Sequence, residues 1–320
     1  MSGAVYAAAM DPTTSTEGRD RGILSTSDGT HRGAFAGVDW ALFGSIGGIW
    51  GASFLLIAIG LDAFEPGLVT WGRVVSGAAV LMTVPPARRQ IHDEDRPRLV
   101  TISILWVAIP FTLFPIAEQH VTSGLVGLIN GGLPIFAAVI GSIMLSRLPD
   151  RSRLVGLAIG FAGVAMIALP AATSGSSEAI GVSLALAAVL CYGVAINISA
   201  PLTQRYGSLP VMARMLALAS IWTAPFGVYG LVRSSFAWDS LIAVAVLGAA
   251  GTGIAFVLMG RLVARVGSVR AAFATYLIPV VAVMLGAIFR GEIVRGTSVV
   301  GIAFVIAGAI LASRREQQRS

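Results

Sequence analysis

Ten long apolar stretches, separated by short polar interruptions, account for most of this chain. Their approximate limits are 39–61, 66–86, 99–117, 122–146, 154–170, 180–202, 209–232, 240–260, 267–289 and 297–312. A bilayer core of ~30 Å needs roughly 20 apolar residues per helical crossing. The pattern therefore predicts an all-α integral membrane protein with ten transmembrane helices. The interruptions leave little room for a soluble domain. Asp11 to Arg32 is rich in Ser, Thr, Gly and Asp and has no apolar run, so 1–37 is expected to be a disordered cytoplasmic tail. It does not read as a signal peptide, because no basic stretch leads into an apolar core with a cleavage site. Met10 is an alternative to Met1 as the true start.

Composition agrees with lipid as the main solvent. Hydrophobic residues make up 56% of the 320 and charged residues 12%, with a mean hydropathy of +0.83. A single soluble core buries far less apolar surface than this. Cys191 is the only cysteine, which excludes an intramolecular disulfide and a cysteine-based metal cluster. Every basic residue is Arg, so no Schiff-base or P-loop lysine exists. The three His are scattered without ligand spacing. No metal, cofactor or nucleic-acid partner is expected; the basic excess reads as a topology signal.

That signal is asymmetric. With the N-terminus in the cytoplasm, fifteen Arg from Arg32 onward fall in inner loops and tails, namely Arg32, Arg88, Arg89, Arg96, Arg98, Arg147, Arg151, Arg153, Arg205, Arg261, Arg265, Arg270, Arg314, Arg315 and Arg319. Only Arg233, Arg290 and Arg295 fall outside, where Asp62, Glu65, Glu118, Glu178 and Asp239 also lie. The positive-inside rule then puts both termini in the cytoplasm of a multi-pass protein of the cell (inner) membrane.

The chain also repeats itself. At a shift of 145, Ser123 falls on Ser268, Pro134 on Pro279, Gly141 on Gly286, Gly156 on Gly301 and Gly163 on Gly308. Ten positions between 123 and 166 are identical without a gap. Trp50-Gly51 resembles Tyr192-Gly193, and Arg73 pairs with Arg214 at a shift of 141. Five helices per copy is an odd number, so the second copy must enter the membrane upside down. Two inverted five-helix repeats are the signature of secondary transporters. The expected divisions are 38–170 and 180–313, joined by an outer linker at 171–179 and followed by a cytoplasmic tail at 314–320.

These residues resemble the EamA-type domain of the drug/metabolite transporter superfamily in its ten-helix form. Trp50-Gly51-Ala52-Ser53-Phe54 looks like that domain's opening helix, and Arg73 sits where its second helix usually carries Arg. Glu118 to Gly124 with Pro134 is similar to its third-to-fourth helix passage, and Thr275-Tyr276-Leu277-Ile278-Pro279 to its ninth helix. Gly291-Glu292 followed by Gly301 resembles the start of its last helix. In the first repeat Arg147 stands where the second has Glu292, which favours a capping or loop-packing role for Glu292 over a paired transport site. The resemblance covers roughly 38–313. It implies transport of small metabolites, most often export of amino acids or related compounds.

A transporter needs polar groups facing an interior cavity. Asn130 lies about eight residues into the fourth segment, or ~12 Å at 1.5 Å per residue. Thr275, its repeat partner, and Tyr276 lie at similar depth in the ninth. Trp50, Tyr192 and Asn197 are the matching candidates in the first and sixth. With Arg73 they form the candidate substrate-binding set, and packing or interhelical bonding is the competing role for the aromatics and Asn197. Arg73 offers a forked donor for a substrate carboxylate; snorkelling is the alternative, and the favoured one for Arg214. Pro134 and Pro279 each remove a backbone donor near mid-bilayer and are candidate hinges or packing kinks. Glu118 and His120 are a candidate proton-coupling pair or a solvated pair at the outer face. Small-xxx-small spacings such as Gly47 with Gly51 predict close helix packing.

The rival reading is an integral-membrane enzyme acting on lipid or a lipid-linked substrate. Its one candidate cluster is the 88–98 loop, with His92, Asp93, Glu94 and Asp95. No nucleotide, hydrolase or zinc-protease motif appears. The expected partners are membrane lipid and a small metabolite. The sequence leaves open protons as coupling ion, the substrate and the oligomeric state.

Overall fold

In a computed structural model, residues 24–27, 29–30, 35–144, 151–172, 176–294 and 296–313 are described. Arg147, the 314–320 tail and most of the 1–37 tail lie outside them. Among the described residues the chain is all helical, with no strand. Helix occupies each apolar interval: α1 Gly37–Leu61, α2 Pro66–Met82, α3 Asp93–Glu118 and α4 Ser123–Met144, α5 Arg151–Ala172, α6 Ser176–Tyr206, α7 Ser208–Leu231, α8 Trp238–Val266 and α9 Ser268–Arg290, and α10 Gly296–Ser313. Seven of these (α1, α3, α4, α6, α7, α8 and α9) are long and apolar enough to cross a membrane.

Large apolar side chains such as Ile221, Val228, Ile288 and Phe289 face outward. That is the reverse of a water-facing surface and suits helices solvated by lipid tails. Between the helices, glycines set the spacing. At Gly51 a Cβ would sit 2.5 Å from Val281 Cβ, and at Gly163 2.7 Å from the Gly301 carbonyl oxygen. α1 therefore lies directly on α9, and α5 on α10, with backbones too close for larger residues.

Four helices are irregular, in corresponding pairs. α3 carries a π segment at Ser103–Ala108 and α8 one at Leu247–Ile254. α4 breaks at Gly131-Gly132, just before Pro134, and α9 tightens to a 3₁₀ turn at Phe273–Tyr276, just before Pro279. Each proline removes an amide donor, so the regular ladder cannot run through the turn before it. The two interruptions touch: a Cβ at Gly131 would overlap the Pro279 ring. Contacts across the halves also come in swapped pairs. α1 packs on α9 and α6 on α4; α3 packs on α6 and α8 on α1; α2 runs along α7, and α5 along α10.

One end, the upper, carries the α1–α2, α3–α4, α7–α8 and α9–α10 connections, with Ser234 and Ser235 bonded to Glu65 and Ala63; the lower end carries the α2–α3, α6–α7 and α8–α9 connections. At the lower end Gly207 and Gly267 join α6 to α7 and α8 to α9 in single residues with φ of 82° and 84°. That backbone region is open to glycine and strained for other residues. Residues 24–27 and 29–30 also reach this end. Ser27 Oγ donates to Gln204 Oε1 (2.8 Å), the Thr30 amide donates to the Ala264 carbonyl (3.3 Å), and Arg98 Nη2 donates to Ser25 Oγ.

Candidate functional site

The upper end holds a cavity of about 710 Å³, lined among others by Glu118, His120, Ser123, Glu178, Arg290 and Glu292. Four helices bring these residues together. α3 ends at Glu118, and α4 begins at Ser123 after the Thr122 N-cap, whose Oγ1 accepts from the Leu125 amide (3.3 Å). α9 ends on Gly291 in the left-handed conformation (φ 64°), which turns the chain so that Glu292 points back at α4. There Glu292 Oε1 accepts from the Ser123 amide (3.1 Å) and hydroxyl (2.5 Å), and Oε2 from the Gly124 amide (2.9 Å). A carboxylate on the free amides of a helix start is favoured by hydrogen bonding and by the helix dipole. Glu292 thus ties the last connection of the second half to the fourth helix of the first.

Glu118 is different. Both its carboxylate oxygens are buried and make no hydrogen bond with any described residue. His120 Nδ1 shares a hydrogen bond with Ser177 Oγ (3.0 Å), linking α3 to α6 at the rim.

Below the cavity α3 presents a column of aromatic rings. Phe114 packs edge-on against Phe54 (5.7 Å between centroids) and at a tilt against Tyr192 (5.6 Å). One turn lower, the Arg73 guanidinium lies 3.7 Å over the Phe111 ring. Arg73 is 3% exposed, so it does not snorkel. Its Nε donates to Thr252 Oγ1 (3.1 Å), and the Thr252 hydroxyl donates to the Leu247 carbonyl of the same π segment (3.1 Å).

The other sequence candidates are distributed unequally. Asn130 is buried at the end of the first half of α4, and its Oδ1 has no partner among the described residues. Trp50 Nε1 donates to the Gly251 carbonyl of the π segment (2.9 Å), and its ring packs on Phe256. Thr275 Oγ1 donates to the Ala272 carbonyl of its own turn (2.8 Å), and Tyr276 stacks on Phe273. Asn197 is fully occupied: Nδ2 donates to the Ala137 (3.0 Å) and Gly193 (2.8 Å) carbonyls, and Oδ1 accepts from Ser268 Oγ (2.8 Å). Arg214 donates to the Arg88 and Arg89 carbonyls at the lower end (2.7 and 2.9 Å). The structure therefore gathers Arg73, Tyr192 and Glu118 around one column and leaves Thr275 and Asn197 in local or interhelical bonds. Sequence reasoning did not single out Thr252, Phe111 or Phe114. The Gly248 to Gly253 run of small residues around Thr252 was the available signal for the first.

The 88–98 cluster is a clamp. Arg205 pairs with Glu94 (2.6 Å) and Asp95 (2.7 Å), the Tyr206 hydroxyl donates to Asp95 (2.7 Å), and Arg96 pairs with Asp93 (2.8 Å). The Glu94 and Asp95 pairs fix the start of α3 on the end of α6, and the exposed Asp93–Arg96 pair is local to α3. A second cavity, of about 860 Å³, opens beside it among Arg88, His92 and Arg214.

Comparison with known proteins points one way. The EamA-like transporter family matches residues 37–169 and again 179–314. A probable terminal-alkyne amino-acid exporter of Streptantibioticus cattleyicolor is 26% identical over 83% of this chain and 90% of its own length. A probable amino-acid metabolite efflux pump of Salmonella typhimurium is 24% identical over 81% and 89%, and an uncharacterized inner membrane transporter of Escherichia coli 25% over 82% and 86%. A crystal structure at 19% identity shares the fold, with a TM-score of 0.63 over 86% of this chain and 96% of its own. Matched twice, over most of its length, the chain belongs to the EamA-like transporter family: it is a membrane transporter of small metabolites and not an enzyme.

Proposed function

We propose that this protein exports amino acids or closely related compounds by alternating access, with ten crossings in two inverted repeats, 38–170 and 180–313, and both termini in the cytoplasm of the inner membrane. The observation that carries this reading is the meeting of the two interrupted helices. α4 and α9 break at corresponding places and touch through Gly131 and Pro279, below a polar cavity of about 710 Å³. Interrupted helices at a repeat interface are where secondary transporters bind and move substrate. The swapped helix contacts support a two-fold relation between halves, and the arginine bias supports inversion with the upper end outside. On this reading the upper cavity is the outer vestibule, and Pro134 and Pro279 are the hinges. Trp50, Arg73, Asn130, Tyr192, Asn197, Thr275 and Tyr276 line or support the path. Glu118 and His120, both at the vestibule, are the groups through which protons would couple. The names of the amino-acid exporter and efflux-pump relatives support the substrate class and the direction.

Purified protein in liposomes is expected to show saturable counterflow of at least one amino acid, accelerated by an imposed pH gradient. Folded protein that moves none of the standard L-amino acids would remove the substrate class. Reporter tags on the two ends are expected on the same, cytoplasmic, side; opposite sides would remove the inverted topology.

A further inference from the structure

Arg73 and Glu118 are two buried ionisable groups, one basic and one acidic, that do not pair with each other. The fork of Arg73 is held from behind, by its Nε bond to Thr252 and by the face of Phe111. Its two Nη atoms make no hydrogen bond with any described residue. Both oxygens of Glu118 are buried and unbonded. Phe111 and Glu118 lie seven residues apart on α3, two turns along one helix face and about 10.5 Å in rise. The guanidinium is within electrostatic range of both Glu118 and the Tyr192 hydroxyl, yet no ion pair joins the two charges. Buried polar groups in a native structure have partners, and buried charges are paired or bound to something. Here the described residues supply neither group with its complement.

We propose that Arg73 and Glu118 are the two poles of a zwitterion site, the guanidinium taking the substrate's carboxylate and the Glu118 carboxylate its ammonium. The proposal rests on the amino-acid reading above and names the residues that recognise the class. The dimensions agree: the ammonium and carboxylate of an α-amino acid lie a few ångströms apart, and each charge-assisted hydrogen bond adds about 2.8 Å. Together these span most of the offset along α3. An Arg fork takes a carboxylate bidentately. Phe54, Phe114 and Tyr192 form an aromatic wall between the poles, against which an apolar side chain packs. Glu118 lines the vestibule and Arg73 lies deeper, so the substrate enters with its carboxylate leading. A molecule with only one of the two charges leaves the other pole buried and unpaired.

The test is competition for counterflow in liposomes. The probes are the best-transported L-amino acid from the standard set, its decarboxylated amine and its N-acetyl derivative. On wild type the amine and the N-acetyl acid are expected to compete at least about thirtyfold more weakly than the amino acid. Arg73→Gln is expected to weaken the amino acid and the N-acetyl acid and to spare the amine. Glu118→Gln is expected to weaken the amino acid and the amine and to spare the N-acetyl acid. Size-exclusion profiles and thermal melts in detergent, with Arg73→Lys as the conservative variant, separate binding from folding. Should a variant fail to fold, the wild-type ranking alone decides: single-charge analogues competing as well as the amino acid overturn the site. The site is equally overturned if both folded variants weaken all three probes alike or none. In both cases amino-acid transport itself stands. If wild type moves no amino acid, the amino-acid reading falls, and this site with it.

Discussion

The starts of α4 and α9 are repeat equivalents, and they are secured by different chemistry. Each begins with a serine, Ser123 or Ser268, and each lies near an equivalent glycine that leaves room for an acceptor, Gly286 or Gly141. At α4 the acceptor is the Glu292 carboxylate, which takes three donors. At α9 it is the Asn197 amide, which takes the Ser268 hydroxyl and donates two bonds of its own. A Cβ at Gly286 would overlap Glu292, and one at Gly141 would come within 2.9 Å of Asn197 Oδ1. Arg147, the repeat counterpart of Glu292, has only donors and cannot serve amides at a helix start. The lower end meets the same geometric need from α6. What the two copies share is the empty space and the helix start, not the residue that fills it.

The ion pairs at the two ends of α1 extend the comparison. Asp62 and Arg290 meet at the upper end in two parallel hydrogen bonds (2.7 and 2.9 Å), both side chains well exposed. Asp39 meets Arg265 at the lower end (2.6 Å), with the carboxylate fully buried. Water can replace the upper pair at little cost and the lower one only at a high one. The cavity beside Glu118 opens at the end held by the replaceable pair.

This contrast breaks or sharpens under substitution. The largest effect is expected from Asp39→Ala, which strips the buried partner from Arg265; a loss of about 3 kcal/mol in unfolding free energy is expected, read by denaturant titration in detergent. Glu292→Ala removes three donor contacts at α4 and is expected to cost about 2–3 kcal/mol. Asn197→Ala at the equivalent seam is expected to cost about 1–2 kcal/mol. Equal losses at the two seams would remove the distinction between the ionic and the neutral one. Asp62→Asn is expected to cost about 0.5 kcal/mol or less, while raising the rate at which a cysteine placed at Ser123 is labelled, in a Cys191→Ala background. A large loss of stability there would mean the upper ion pair is as costly to break as the lower one.

The apolar pattern by itself determined the helices. Within lipid every backbone amide and carbonyl must be satisfied inside its own segment, so helix is written locally and segment by segment. The same locality made the interruptions legible: Pro134 and Pro279 lack an amide, and that fact needs no neighbour to act. Internal repetition then linked α4 to α9 before any contact was seen. The partner of each polar side chain was decided only by tertiary structure. Trp50, Thr275 and Asn197 stand in the sequence beside Arg73 and Tyr192 as polar groups at membrane depth, with Glu118 at the outer face. Folding spends the donors of the first three on carbonyls at hand and leaves the oxygens of Glu118 unbonded. Hydrogen bonds reach about 3 Å, whereas Glu292 and Ser123 are separated by 169 residues. Distances of that kind are set by how helices stack, and no local run of sequence records them.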